Sequence, residues 1–201
     1  MIRNIFLAGL SFVFLSCISI ESKITLAADG SGTVEIVYTI SSLAQEWDSR
    51  DTNNSPLPLP VNEADFRRSV NRATGLSLIS YSSRTTTEST IITAVVGFRS
   101  LAALNELVSR QEVIFTLRQE SGRNIFEQVV TQGTRTALDD RTKSFTEAFF
   151  GPYSLKFELT APRTITRSTP GSISGNKASV NFPLAEVVES RDPVVWRVEW
   201  Q

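Results

Sequence analysis

The chain has 201 residues, no histidine and a single cysteine, and its 20 Lys+Arg against 21 Asp+Glu leave a net charge of -1. Without histidine there is no imidazole general base, no Ser-His-Asp triad and no His-ligated zinc or iron, and one cysteine closes no disulfide within the chain. The balanced charge also argues against nucleic acid as a partner, because that binding rests on a concentrated positive field.

The chain opens with Arg3 and an apolar run from Ile5 to Leu15, which stops at Ser16-Cys17. A basic start, an apolar stretch of about eleven residues and a small residue before the cut form a secretory leader. The run is too short for a spanning helix, which needs roughly 20 apolar residues. Phe14-Leu15-Ser16-Cys17 resembles a bacterial lipobox, in which the thiol takes a diacylglycerol and everything before it is removed. The reading predicts removal of residues 1–16 and a mature protein, 17–201, held outside the cytoplasm on a bacterial membrane by lipidated Cys17. Two other readings of the leader stay open: ordinary cleavage after Ser19, and retention of the segment. An acylated Cys17 leaves no thiolate nucleophile, and no cofactor or metal is expected.

The roughly 185 residues that remain are ample for one hydrophobic core. The pattern predicts a single α+β domain of antiparallel hairpins alternating with three short helices at about 62–75, 100–109 and 137–150. A β-rich portion begins near residue 151. Ile20, Ser22, Ile24 and Leu26 alternate on one strand, and Val34, Ile36, Tyr38 and Ile40 on the next; Asp29-Gly30-Ser31-Gly32 between them is turn chemistry.

Residues 45–61 have no periodicity. Trp47 and the polar run 48–54 lead into Pro56-Leu57-Pro58-Leu59-Pro60, where alternate prolines remove backbone donors and favour an extended path. A structureless stretch of this length inside a compact domain is uncommon without a function. Trp47, Leu57 and Leu59 are therefore the candidate binding surface for a lipid or other amphiphile, or for an envelope protein. The plainer alternative is that they cover the core.

Asn62 as cap, Asp65 in the first turn and Gly75 as stop predict the first helix, with Phe66, Val70 and Ala73 buried and Arg67, Arg68 and Arg72 solvated. Leu76–Ser82 and a long stretch from Thr85 to Phe98 read as strands. Ser100 caps a second helix with Leu101, Leu104 and Val108 on one face. Val113, Phe115 and Leu117 alternate, and Ser121-Gly122-Arg123-Asn124 turns the chain back into 125–132. Thr136 with Asp139 reads as a capping pair for a third helix carrying Leu138, Thr142, Phe145 and Phe149 on its buried stripe, stopped by Gly151-Pro152.

Beyond Tyr153 the pattern is all-β: Leu155, Phe157 and Leu159 alternate, then Ala178, Val180 and Phe182, then Val194, Trp196, Val198 and Trp200. The two tryptophans are expected to pack in the core rather than to stack on a sugar. Carboxylates are the remaining catalytic groups, clustered at Asp48/Asp51, Asp139/Asp140 and Glu186/Glu189/Asp192. A glycan hydrolase needs two of them across a cleft, and that is the enzymatic alternative to a non-enzymatic or purely structural lipoprotein.

The hairpin Lys23-Ile24-Thr25-Leu26-Ala27-Ala28-Asp29-Gly30-Ser31-Gly32-Thr33-Val34-Glu35 after a lipid-type cysteine resembles the start of bacterial LppM-type lipoproteins. Pro170-Gly171-Ser172-Ile173-Ser174-Gly175-Asn176-Lys177-Ala178-Ser179-Val180 and Trp196-Arg197-Val198-Glu199-Trp200 are similar to that family's last strands. The sequence departs from members that carry a C-terminal membrane helix. The resemblance implies an α+β envelope domain without known catalysis, and it transfers no functional residue.

Overall fold

The computed structural model describes residues 19–41, 60, 62–87, 89–109 and 112–201. Among them are eleven strands and four helices, in two sheets. Strand β1 (Ile20–Leu26) turns through Asp29, whose carboxylate accepts from the backbone N–H of Ser31 at 3.0 Å, into β2 (Gly32–Ser41). Gly30 has φ +82 there, and a Cβ on Gly32 would stand 2.0 Å from the carbonyl oxygen of Thr25. The hairpin needs glycine at both positions, one for its left-handed backbone and one for the close approach.

β2 pairs antiparallel with β4 (Ser89–Phe98), which pairs with β3 (Leu76–Thr85). Strict alternation in β4 buries Thr90, Ile92, Ala94, Val96 and Phe98 on one face. The stretch expected as one strand from Thr85 to Phe98 is instead the end of β3, a turn and β4. Thr86 makes the turn: its backbone N–H donates to the Ser89 carbonyl at 2.8 Å and its hydroxyl accepts from the Ser89 N–H at 3.1 Å. A hydroxyl able to mimic a turn hydrogen bond outweighed β-propensity. A bulge between Leu78 and Ser80 leaves Ile79 exposed.

On the other side of β1 lies β7 (Ser154–Thr160), and this pair is parallel, with Ile20 beside Leu155 and Ile24 beside Leu159. β10 (Lys177–Pro183) and β9 (Ser172–Ser174) complete the seven-stranded sheet in the order β3-β4-β2-β1-β7-β10-β9. The four-stranded sheet has the order β5-β6-β11-β8, from Phe115–Glu120, Arg123–Thr131, Val194–Trp200 and Ile165–Thr169. Ser121 and Gly122, with φ 50 and 79, form the tight turn between β5 and β6.

The inner faces meet through aromatic rings. Trp196 of β11 stacks near Phe157 of β7 at 6.4 Å between centroids and meets Phe126 of β6 edge-on at 6.2 Å; its indole N–H donates to Ser168 Oγ at 3.0 Å. Trp196 is fully buried and Trp200 is 2% exposed, so both tryptophans are core residues and neither offers a ring to a sugar. One cluster of buried apolar side chains runs from Ile24 to Trp200 across both sheets.

Helix α1 (Glu63–Asn71) is capped as the sequence predicts: Asn62 Oδ1 accepts from the Asp65 N–H at 2.9 Å. Phe66 and Val70 are buried, and Arg67 and Arg68 pair with Glu63 and Asp65 on the solvated side. Helix α2 (Leu101–Val108) is capped by Ser100. It buries Leu101 and Leu104, but Val108 is exposed, because the helix ends there and the chain turns back through Asn105, which accepts from the N–H groups of Ile114 and Phe115. Val113 is exposed as well, lying before β5 begins.

Helix α3 (Asp140–Phe150) starts later than its sequence signal. Asp139, not Thr136, is the cap, accepting from the Thr142 N–H at 2.7 Å. Its buried side chains are Thr146 and Phe150, so the expected stripe through Phe145 and Phe149 is turned by one residue toward solvent. A fourth helix, α4 (Leu184–Glu189), occupies the stretch expected to be all-β and holds Glu186 and Glu189. It accounts for the rotation: Phe150 packs on Leu184 and Ala185, and of two consecutive phenylalanines only one can face that partner.

Candidate functional site

The parallel register brings separate parts of the chain to one end of the seven-stranded sheet. β1 begins there at Ile20, β2 ends there opposite it, β7 begins there after α3, and β10 ends there opposite Ser154 before α4. Cys17 and the candidate residues Trp47, Leu57 and Leu59 lie outside the described residues. Ser41, the end of β2, and Pro60 are described.

Tyr38 holds Pro60. It is 1% exposed, stands opposite Ile20 and donates its hydroxyl hydrogen to the carbonyl oxygen of Pro60. Burial pushes its phenol above the ordinary tyrosine range, with Tyr81 and Asp65 adding to the rise, so it stays a donor at any physiological pH. Tyr81 is raised too, chiefly by burial, and its neighbour Phe66 lies 6.0 Å from it ring to ring.

A cleft of about 780 Å³ opens along β7 and β10 near this end, with Pro170–Ser172 also lining it. Glu21, Lys156, Glu158, Asn181 and Glu186 reach it. Its size is that of a small-ligand site. Glu21 and Glu158 are each tied to a lysine at 3.3 Å, Lys23 and Lys177.

Three other carboxylates are engaged structurally. Asp139 caps α3, and the Thr142 N–H holds its carboxyl below the usual range. On the outer face of the four-stranded sheet Glu127 accepts from Arg118 and Arg197, and Glu199 from Arg123 at 3.2 Å and Arg197 at 2.9 Å. The Arg118 guanidinium beside Glu127 holds that carboxyl low, the opposite of what a general acid requires. Glu199 is 3% exposed, with the guanidinium groups of Arg123 and Arg197 on its carboxylate. Asp48 and Asp51 lie outside the described residues.

Sequence reasoning missed one feature. Phe145 and Phe149 of α3 stack on each other at 4.2 Å between centroids and remain 41% and 44% exposed. Their i, i+4 spacing is visible in the sequence, but the same signal describes a buried stripe; only the docking of α4 distinguishes the two.

The fold defines a two-sheet α+β domain. It is similar to the NMR structure of the folded domain of Mycobacterium tuberculosis LppM, with a TM-score of 0.53 at 13% identity over 92% of this chain and 89% of that one. No family model matches the sequence, and no curated protein matches it. The likeness is one of backbone architecture.

Proposed function

We propose that this chain is a lipid-anchored, non-enzymatic lipoprotein of the cell envelope that binds a lipid or another amphiphile at the end of its sheet nearest the anchor. The observation that carries the reading is the position of β1: it starts three residues after Cys17, so an acylated Cys17 sets that end of the domain against the membrane. The leader Ile5–Leu15 ahead of Cys17 and the LppM-like fold support the same reading.

At this end Pro60, just after the segment carrying Trp47, Leu57 and Leu59 in the sequence, accepts from Tyr38, and the cleft lined by Glu21, Lys156, Glu158 and Glu186 opens on the outer face of the sheet. Trp47, Leu57 and Leu59 supply apolar groups suited to the hydrophobic part of an amphiphile, with polar side chains at the same end of the sheet for its head. The test is native mass spectrometry of protein taken from its own envelope, alongside a variant with Leu57→Ser and Leu59→Ser. Retention of a lipid-sized species by the wild type and its loss from a still-folded variant is the expected result. Equal retention by both proteins would remove these residues from the site, and a bare wild-type protein would remove the amphiphile.

A further inference from the structure

We infer that the outward face of α3, centred on Phe145 and Phe149, seats in the headgroup region of the membrane to which the chain is anchored. The inference rests on the proposed acylation of Cys17. Thr146 is buried and Phe150 packs on Leu184 and Ala185 of α4, so the two stacked rings, about 100° round the helix from them, are presented on a helix that is already docked. Ala148 beside them and Arg141 one turn before Phe145 are exposed on the same side.

Position selects the occupant. Leu155 stands beside Ile20 in the register and also packs against Phe150 and Leu184. Cys17 precedes Ile20 by three residues, at most about 11 Å of extended chain, and Phe145 precedes Phe150 by five, about 8 Å along the helix axis. With the spacing of about 5 Å between adjacent strands and the Leu155–Phe150 contact added, an acyl chain on Cys17 enters the bilayer within roughly 30 Å of the aromatic pair. A tethered contact of this kind needs little intrinsic affinity, because the anchor supplies the local concentration. Aromatic rings on an amphipathic helix suit the boundary between headgroups and acyl chains.

Charge does not pick out an acidic or basic partner. Asp140 and Glu147 balance Arg141 and Lys143 on α3, so the contact is expected on zwitterionic lipid and in high salt alike.

The acylated full-length protein has no free thiol, so one introduced cysteine carries one probe. Ala148→Cys places an environment-sensitive fluorophore beside the pair with both rings intact. Ala28→Cys, exposed in the loop at the far end of β1, is the control. In phosphatidylcholine vesicles containing nitroxide lipids, quenching at position 148 should exceed that at position 28 several-fold. It should fall to the control level when Phe145→Ser and Phe149→Ser are added. Equal quenching at both positions on protein that floats with the vesicles overturns this inference alone. Protection of position 148 that rises with protein concentration without lipid quenching also overturns it, in favour of a second copy of the chain. Failure to float overturns the acylation and the inference together.

Discussion

Ile20 and Leu155 lie side by side in parallel strands although they stand 135 residues apart in the chain. A parallel pair needs a long crossover, and here the crossover is most of the molecule. The start of the first strand is thereby locked into the middle of the seven-stranded sheet. A group carried at Cys17 would join the chain three residues before the middle strand of that sheet.

The terminal strand is expected to carry a large share of stability. Trp200 is 2% exposed, and Trp200→Ala should cost about 3–5 kcal/mol through lost transfer energy and a cavity. Chemical denaturation checks it. A loss under 1 kcal/mol would mean that the ring does not fill the core, and a loss of ligand without a loss of stability would turn it into a surface platform.

The bond from Tyr38 to Pro60 has a pH signature. Because burial raises the phenol in the folded state, the folded protein holds that proton where the unfolded chain gives it up. Its stabilising effect is complete below the ordinary tyrosine value of about 10 and declines as pH rises through the higher folded value. Tyr38→Phe should lower stability at neutral pH by about 1 kcal/mol and flatten the alkaline decline. An unchanged alkaline limb in the variant would assign that decline to other groups.

Acid acts in part through Glu127. Its carboxyl is held low by the hydrogen bond from Arg118, so its contribution is present above the unfolded value of about 4.3 and is lost as pH falls through the lower folded value. Glu127→Gln should reduce stability at pH 7 and narrow the difference between pH 7 and pH 3. A thermal melting series across that range measures it; identical pH dependence in both proteins would sink the assignment.

Most of the architecture was legible because alternation and caps are local signals. Asn62, Ser100 and the alternating faces of β1, β2, β4 and β11 are written in neighbouring residues, and the structure keeps them. Three features depend on partners far along the chain. The parallel pairing of β1 with β7 leaves no mark on either strand. The choice between Phe149 and Phe150 is made by α4. The turn at Thr86 interrupts a run of β-branched residues that gives no warning of it. The site was legible only as a set of residues; the shared end of the sheet that gathers their flanks appears only with the register.

The central claim is the anchor, and metabolic labelling with an alkyne fatty acid, followed by detergent phase partition, tests it most directly. The wild type should carry label, enter the detergent phase and stay with membranes in high salt, because several acyl chains hold where one does not. Cys17→Ser should carry none and appear as unprocessed precursor or soluble protein. A Cys17→Ser protein that labels and partitions as the wild type does would contradict the account.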